Sequence, residues 1–431
     1  MSPQVKNRGG LARYTARASG PRHAPPARRS SLRLLRRHNF ALFWAGQTVS
    51  KVGNGIYQVG LAWAVYQLTG STAAMGIVLA ANAIPEIALA LFGGTLADRL
   101  PRKTVVLTAD TAAALVTWGL TVVSARRDLS MPLLLTAACL LGVITAFYRP
   151  AYSAMNRDLI PQEDFRAANA LLSVSGNAAR VLGPAIGGLA YSLGGTALVF
   201  GLDAVSFSAA VMAMLATRTS CRRSGVHQHS LVGELAAGLR YALTTRWLLL
   251  VLAISLIANF TCLAPFFVLL PELVRIHHDG VNTLGLLTSA EVLASIAGAL
   301  AIGRLRRIQA GPALLLLASV IGAGAITLGL LGDLLPALFL GAALVGAGLS
   351  FDVIENTILQ VQVPEELLSR VYSVNMVVSF ALLPLGYAAA GFLARWAGPS
   401  WVLAAGGAVL IASCFGAWLA RPVRSLGSVR C

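Results

Sequence analysis

The stretch GGTLADRLPRKTVVL, Gly93 to Leu107, places four charged side chains and a proline inside a long apolar sequence. Apolar runs of about 20 residues precede and follow it, which is the length that a helix needs to cross the ~30 Å hydrocarbon core of a bilayer. Its charged residues are Asp98, Arg99, Arg102 and Lys103. The stretch therefore indicates a short polar turn between two membrane-spanning helices.

The composition of the whole chain agrees with a membrane protein. Only 12% of the 431 residues are charged and 56% are hydrophobic, whereas a soluble domain carries about 25% charged residues. The 42 glycines fit close contacts between transmembrane helices. The five cysteines have neither metal-binding nor disulfide spacing, and we predict no metal and no cofactor.

Twelve apolar runs are long enough to span a bilayer. They are 40–68, 73–97, 103–124, 131–156, 167–191, 195–217, 245–271, 281–303, 311–331, 335–361, 370–396 and 399–420. The sequence therefore predicts an all-α integral membrane protein with twelve transmembrane helices.

Basic residues are concentrated on one side of the predicted membrane. If both termini are cytoplasmic, 27 of the 34 Lys and Arg lie in the tails, in the inner connectors or at the inner ends of spans, four lie in the outer connectors or at an outer span end, and three lie within spans. Basic short loops mark the cytoplasmic side. Topology thus accounts for the net charge of +17, and no nucleic-acid partner is expected. We predict a multi-pass protein of the cell membrane with both termini cytoplasmic.

The two halves of the chain repeat each other. At an offset of 205 residues, GGTLADRLPRK (Gly93–Lys103) aligns with GALAIGRLRRI (Gly298–Ile308), and at 203 Gly183 aligns with Gly386. Each half has six predicted spans, so the repeats have the same topology. This pattern predicts two six-helix bundles related by an axis along the membrane normal, with the substrate site near the midplane between them.

The repeat divides the chain into five segments. We predict a disordered basic cytoplasmic tail over 1–38, an N-terminal bundle over 39–217, a cytoplasmic linker over 218–244, a C-terminal bundle over 245–420 and a cytoplasmic tail over 421–431. The first tail holds ten Lys or Arg and no acid, so a transit peptide or a contact with anionic lipid remains an alternative reading of it.

The connector between spans 2 and 3 resembles the signature G-x-L-a-D-R-x-G-R-[RK] of the major facilitator superfamily. The matching residues are Gly94, Leu96, Ala97, Asp98, Arg99, Arg102 and Lys103. The chain departs at Pro101, where the family has Gly. The resemblance implies the twelve-helix major facilitator fold and a conformational latch, in which the aspartate binds across to the second bundle when the cytoplasmic side is shut. A plain positive-inside turn is the alternative.

Span 5 carries ARVLGPAIGG, Ala179 to Gly188. It resembles the motif G-x-x-x-G-P-x-x-G-G of drug and metabolite exporters in the superfamily, with Ala179 in place of the first glycine. The matching residues are Gly183, Pro184, Gly187 and Gly188. Small residues and a proline suit a helix interface that rocks, although ordinary helix packing is the alternative. Other phrases resemble the subgroup of macrolide and siderophore exporters.

Charged residues inside the spans are candidates for function because an unpaired charge in a bilayer is costly. They are Lys51, Glu86, Asp110, Arg149, Arg180, Asp203, Glu291, Asp352 and Glu355. Near the inner ends of their spans, Asp110 and Arg149 are predicted to join the latch network around Asp98. Some of these charges are expected to form structural pairs.

Arg180 needs a counter-charge, for which Asp203, Glu86 and Asp352 are the alternatives. Asp352 and Glu355 lie three residues apart and share one helix face, and two close carboxylates favour the retention of a proton by one of them. We predict that Glu86 or the Asp352/Glu355 pair carries coupling protons.

Several polar and aromatic residues are candidates to line the cavity or to pack between helices. They are Asn54, Tyr57, Gln58, Trp63, Tyr66, Asn259 and Asn375.

These features favour a secondary transporter that exports small amphipathic molecules, such as drugs, antibiotics or siderophore-like metabolites, in exchange for protons. The expected partners are the substrate, protons and the lipid bilayer, and the resemblance implies a monomer. An importer of a small nutrient is the main alternative. A membrane sensor or enzyme is the other; we predict no enzymatic activity and no catalytic residues, and the sequence lacks a G-x-x-x-x-G-K-[ST] nucleotide motif.

Overall fold

A computed structural model describes residues 31–160, 164–218, 239–277, 280–305, 308–419 and 428–429, with the side chains of 90–99 outside the described part. Most of the predicted tails 1–38 and 421–431 and of the linker 218–244 therefore lies outside the described residues. These three segments remain predictions.

The N-terminal half is built from five long helices after a short 3₁₀ helix, Ser31–Arg36. They are α1 (His38–Thr69), α2 (Thr72–Arg99), α3 (Arg102–Ala125), α4 (Met131–Leu159) and α5 (Phe165–Ala216). Helix α5 bends at Gly195, whose φ of 62° is readily adopted only by glycine. The bend divides α5 into a first arm, 165–194, and a second arm, 196–216, which correspond to predicted spans 5 and 6.

The C-terminal half is more finely divided. Its helices are α6 (Arg246–Ala258), a π-helical turn (Asn259–Leu263), α7 (Ala264–His277), α8 (Val281–Arg304), α9 (Ala310–Leu331), α10 (Leu335–Gly348), α11 (Phe351–Gln362), α12 (Glu365–Ala381), α13 (Leu383–Ala397) and α14 (Pro399–Leu419). Two short strands, β1 (Ile308–Gln309) and β2 (Ser428–Val429), pair antiparallel beside them. Predicted span 7 thus contains a π-helical turn, and predicted spans 10 and 11 are interrupted by two turn residues and one turn residue, respectively.

The described helices make twelve membrane crossings, as the sequence predicts. Ten described segments are long and apolar enough to cross a membrane, and one of them, Ala167–Ala216, counts twice because of the bend in α5. Helix α1 completes the twelve. Polar residues such as Lys51 and Asn54 lower its hydropathy, but its 32 residues extend for about 48 Å, which exceeds the hydrocarbon thickness.

Two interfaces join the bundles: the first arm of α5 packs on α8, and α2 packs on α13. Because the number of crossings is even, the start of α1 and the end of α14 lie on the same face of the membrane. We call this face inner and the opposite face outer.

The glycines that align in the sequence repeat make equivalent contacts. Gly183 of α5 packs on Gly55 of α1, and Gly386 of α13 packs on Ala264 of α7. The fifth span of each half therefore lies against the first span of the same half.

A second aligned pair lies at the interface between the bundles. Gly188 of α5 packs on Asn282 of α8, and Gly391 of α13 packs on Thr72 of α2. The two interfaces are therefore related by a pseudo-twofold axis, which supports the predicted duplication and the axis along the membrane normal.

The outer half of this interface is tightly closed. Gly76 of α2 lies on the carbonyl oxygen of Tyr387 in α13, and Gly285 of α8 lies on the carbonyl oxygen of Pro184 in α5. A Cβ atom at either glycine would overlap the oxygen that it faces. Small residues allow this close approach, which stabilises helix contacts within a membrane through van der Waals packing.

Candidate functional site

Arg180 lies just inside the closed outer interface. It precedes Pro184 and Gly188 by one and two helical turns, so the three residues share a face of α5. Pro184 and Gly188 pack on α8, and Arg180 is exposed. An exposed arginine on the face that joins the bundles indicates a cavity that opens towards the inner side.

Two carboxylates of the C-terminal bundle lie opposite Arg180. Its guanidinium interacts electrostatically with Glu291 of α8 and Asp352 of α11. All three residues are at least ten residues from either end of their span, or about 15 Å along a helix. This distance is half of the ~30 Å hydrocarbon core, so the three charges lie near the midplane.

The backbone around these acids is irregular. Helix α10 ends at Gly348 and α11 begins at Phe351, one residue before Asp352. On the facing helix, the carbonyl oxygen of Glu291 is in contact with Gly346, where a Cβ atom would overlap it. Breaks within transmembrane helices are tolerated where the backbone lines a cavity or is buried in protein. The close contact at Gly346 fixes the position of Glu291 along the membrane normal, next to the irregular turn in span 10.

Glu355 is the third acid of the C-terminal bundle. It lies one turn after Asp352 and interacts with it electrostatically. The hydroxyl of Ser255 in α6 donates a hydrogen bond to its Oε1 at 3.0 Å, and the side chain of Asn375 in α12 is a second hydrogen-bond partner. Glu355 therefore joins spans 7, 10 and 11, the three irregular spans of the C-terminal bundle.

The three acids differ in exposure. Glu355 is buried, Asp352 is exposed, and Glu291 is only 4% exposed, with its Oε1 lacking a hydrogen-bond partner among the described residues. Among the described residues, Arg180 is the basic side chain that interacts with Glu291 and Asp352, and Glu355 interacts with Asp352. One guanidinium is thus linked to a chain of three carboxyl groups.

Glu86 has a different partner from the one predicted. Its Oε1 lies 3.0 Å from Nη1 of Arg149 in α4, whose side chain is 61% exposed. Glu86 is therefore paired within the N-terminal bundle, and of the three predicted counter-charges for Arg180 the structure brings only Asp352 to it.

Asp203 lies away from the charged cavity. It is 1% exposed in the second arm of α5, where its Oδ1 faces Gly53 of α1 and the Ser206 hydroxyl. Its Oδ2 and the buried hydroxyl of Tyr57 have no hydrogen-bond partner among the described residues. The structure therefore separates Asp203 from Arg180.

Asp110 is held inside the N-terminal bundle. The side-chain amide of Gln47 donates a hydrogen bond to its Oδ2 at 2.8 Å, and the hydroxyl of Tyr148 donates to the amide oxygen of Gln47. Asp110 and Arg149 were both predicted to join the latch, but Asp110 binds Gln47 and Arg149 binds Glu86. The side chains of Asp98 and Arg99 and the surroundings of Gly94 lie outside the described part, so the latch remains a prediction.

The two described bases of the predicted latch bind within their own bundle. Nη1 of Arg102 lies 2.6 Å from Oδ1 of Asp158 at the inner end of α4. The ammonium of Lys103 donates to the carbonyl oxygens of Leu215 and Thr217, where α5 ends. Cations near the C-terminus of a helix are favoured by its dipole, so these bases tie α3 to α4 and α5.

A polar stripe runs along α1. Gln47, Lys51, Asn54 and Gln58 recur at intervals of four, three and four residues, so they lie on one face. Asn54 and Gln58 are exposed although they lie within a span. The stripe extends the polar surface of the N-terminal bundle beyond Arg180.

Three hydroxyls link the two bundles, and two of them were not predicted. Thr72 donates to the carbonyl oxygen of Gly391 and Ser289 donates to that of Val181. The third, Tyr66, was predicted as a cavity or packing residue and donates to the carbonyl oxygen of Val268. An isolated hydroxyl in a sequence does not indicate a contact between bundles. The small residues on the opposing helices are the feature that could have predicted these contacts.

The outer end of span 7 carries another pair that sequence reasoning missed. Arg275 donates two hydrogen bonds to Glu272, at 3.0 and 2.9 Å. Opposite charges three residues apart on a helix are the signal that predicts such a pair. Within the described ranges, no three His, Cys, Asp or Glu side chains are arranged to hold a metal ion.

Comparison with known proteins relates this geometry to transporters. The sequence matches the model of a family described as transmembrane secretion effector over residues 29–426. The enterobactin exporter EntS of Shigella boydii serotype 18 is 29% identical over 350 residues, which cover 79% of this chain and 82% of the exporter. The multidrug efflux pump Tap of Mycobacterium tuberculosis is 27% identical over 367 residues, covering 81% of this chain and 85% of the pump.

Solved structures show the same fold at low sequence identity. A POT family transporter in complex with 5-aminolevulinic acid has a TM-score of 0.71 and 14% identity, covering 91% of this chain and 97% of the transporter. A bacterial homologue of the iron transporter ferroportin in an inward-facing state has a TM-score of 0.69 and 16% identity, covering 92% and 100%. The twelve membrane crossings therefore have the major facilitator arrangement of two bundles of six.

Proposed function

The chain belongs to the transmembrane secretion effector family of the major facilitator superfamily, and we propose that it exports small amphipathic molecules in exchange for protons. It is a multi-pass membrane transporter. The direction of transport is taken from the relatives, since one is named an enterobactin exporter and the other a multidrug efflux pump.

The observation that carries proton coupling is the excess of carboxyl groups at the midplane. Among the described residues, Arg180 interacts with Glu291 and Asp352, and Asp352 interacts with Glu355, so three acids are linked to one basic side chain. Unpaired charges are costly in a bilayer, and a proton is the smallest species that neutralises a carboxylate. We assign the coupling protons to Asp352 and Glu355, because Glu86 is already paired with Arg149.

Alternating access follows from the two interfaces. In this state the outer interface is closed, and Arg180 and Asp352 are the exposed charges among the described midplane residues. Rocking of one bundle against the other separates the outer glycine contacts at α5/α8 and α2/α13 and closes the inner side. The exporter-type motif Gly183, Pro184, Gly187 and Gly188 contacts both α1 and α8, which supports its role as the surface on which this motion occurs.

The inner latch is proposed to hold the alternate state. Asp98 would bind the second bundle when the inner side is shut, with Gly94 and Arg99 shaping the same turn. Arg102 and Lys103 anchor the turn through Asp158 and the end of α5. We place the inner side in the cytoplasm of the cell because of the basic connectors, and we expect a monomer surrounded by lipid, without enzymatic activity.

Dye accumulation in inverted membrane vesicles tests this function. An inside-acid pH gradient should drive uptake of at least one of three amphipathic dyes: ethidium, neutral Nile red or anionic 8-anilinonaphthalene-1-sulfonate. Asp352→Asn and Glu355→Gln should each lower gradient-driven uptake at least tenfold at normal protein levels. The same change at Asp333, an exposed acid of an outer connector, should have no effect.

Two outcomes would contradict the proposal. Uptake of no dye above that of vesicles lacking the protein would argue against proton-driven export. Full gradient-driven uptake by both acid variants would move the coupling site away from Asp352 and Glu355. Uptake driven by an inside-alkaline gradient would instead indicate a proton-coupled importer.

A further inference from the structure

Lys51 is a membrane-embedded cation without a carboxylate partner in the described structure. Its ammonium donates a hydrogen bond to the hydroxyl of Tyr152 at 3.0 Å and lies 4.9 Å from the centre of that ring. The four described ion pairs involve other residues. A phenol and its π face do not neutralise a positive charge, and a lysine inside a span is costly unless something compensates it.

Lys51 and Arg180 lie on the same wall of the cavity. A Cβ atom built on Gly176 would be 4.0 Å from the Lys51 ammonium. Gly176 precedes Arg180 by four residues, which is about 6 Å along α5 and on the same face. The Lys51 ammonium therefore lies against α5 about one helical turn before the backbone of Arg180. Arg180 is exposed, and Lys51 is half-buried.

The geometry points to a binding site for an anionic group of the substrate, formed by Lys51 and Arg180. This inference rests on the proposed export function and names its substrate class: amphipathic molecules that carry a carboxylate or a comparably acidic group. The Lys51 ammonium has three donors, of which Tyr152 engages one. The five donors of a guanidinium allow Arg180 to hold an anion beside Asp352.

The walls of the cavity orient such a substrate. The C-terminal wall carries Glu291, Asp352 and Glu355 and repels an anion, so its acidic group faces the N-terminal bundle. Beside Lys51, the ring of Tyr152 stacks on the rings of Phe43 and Tyr148, with centroid distances of 5.4 Å to each. These two contacts hold the phenol in place and therefore hold the ammonium that binds it.

Three probes with one aromatic body and different charges test the site. We would titrate 2-naphthoate, 2-naphthamide and 2-naphthylmethylammonium into the full chain in lipid nanodiscs and measure the heat of binding. A charged hydrogen-bond partner contributes about 1.5–3 kcal/mol, which is about tenfold or more in Kd. Naphthoate should therefore bind at least about tenfold tighter than the amide, and the ammonium should bind most weakly.

Variants locate the effect. Lys51→Met should raise the Kd of naphthoate about tenfold while leaving that of the amide unchanged, and Lys51→Arg should restore most of the affinity. Arg395→Gln removes an exposed cation at the outer end of α13 and should leave naphthoate binding unchanged. Equal binding of naphthoate and the amide to the unaltered chain, or no change in Lys51→Met, would overturn the inference.

The dye assay separates this failure from that of the proposed function. Gradient-driven uptake of ethidium or Nile red by a chain that does not prefer naphthoate leaves export intact and removes the anion site. If Lys51→Met does not fold, the preference of the unaltered chain for naphthoate over the amide decides the matter alone.

Discussion

The two bundles share one architecture but differ in continuity and in charge. The N-terminal helices α1 to α4 run unbroken, even at Pro85 and Pro150, and the N-terminal bundle carries the bases Lys51, Arg149 and Arg180. In the C-terminal bundle, spans 7, 10 and 11 are irregular, and the midplane carries acids. The irregular spans meet at Glu355 through Ser255 and Asn375.

This difference indicates a division of labour between duplicated halves. The N-terminal bundle has continuous helices and internally paired charges, such as Glu86 with Arg149, so it is suited to remain rigid during transport. Helix breaks next to Asp352 and a π-helical turn one residue after Ala258 let short segments move without unfolding a whole span. We infer that proton binding acts on the C-terminal half.

The largest expected effect is a loss of stability on substitution of a glycine contact that occurs in both halves. Gly142 of α4 lies on the carbonyl oxygen of Asn82, and Gly346 of α10 lies on that of Glu291. A side chain at either glycine forces two backbones apart, so Gly142→Val and Gly346→Val should each lower the free energy of unfolding by about 2–3 kcal/mol. Denaturant unfolding in detergent micelles measures this loss.

Transport should separate the two variants. At permissive temperature, Gly346→Val displaces Glu291 and should abolish gradient-driven dye uptake, whereas Gly142→Val displaces the uncharged Asn82 and should retain some uptake per folded molecule. Equal losses of uptake would show that the halves do not divide their roles in this way.

The next effect concerns the outer closure. Gly76→Ala and Gly285→Ala place a methyl group against the carbonyl oxygens of Tyr387 and Pro184. Because the two contacts are related by the pseudo-twofold axis, each variant should destabilise the closed outer side to a similar degree, by about 1–3 kcal/mol. The population should shift towards the outward-open state.

Labelling reads out this shift. We would introduce Gln58→Cys, on the exposed stripe of α1, into a chain whose native cysteines are replaced. An impermeant maleimide should modify it from the outer side several times faster in either glycine variant. An unchanged rate would mean that these contacts do not close the outer side.

The smallest effect on stability is expected at the inner turn. The N-terminal copy of the repeat has Asp98, whereas the C-terminal copy has Gly303 at the equivalent position. Asp98→Asn should slow dye transport severalfold with little change in unfolding, because the proposed latch acts in the alternate state. Gly303→Asp, which adds an acid where a Cβ would meet open space, serves as the matched control. An unchanged transport rate in Asp98→Asn would mean that the stretch Gly93–Leu107 sets the topology of the chain and does not act as a latch.

The sequence predicted the elements of the fold well because their signals are local. The length of apolar runs locates the spans, and aligned glycines such as Gly183 and Gly386 locate equivalent contacts. The break before Asp352 was not predicted, since the segment Leu349–Ser350 differs little in composition from its surroundings. The bend at Gly195 was predicted as a boundary between spans.

Charge pairing was harder to predict because it depends on contacts between helices. Asp352 was one of three options for Arg180, and nothing in one sequence favours it over Glu86. The pair of Glu86 and Arg149 requires the relative rotation of α2 and α4. Likewise, the closeness of Lys51 to Gly176 follows from how α1 packs on α5.

Proton movement in the absence of an imposed gradient tests the central claim most directly. Proteoliposomes loaded with the pH indicator pyranine would receive whichever dye the vesicle assay identifies as a substrate. Exchange of that dye for protons predicts a rise in internal pH as the dye enters, and no such rise with the double variant Asp352→Asn/Glu355→Gln. Dye entry without a change in internal pH, or with acidification, would contradict proton-coupled export by the midplane acids.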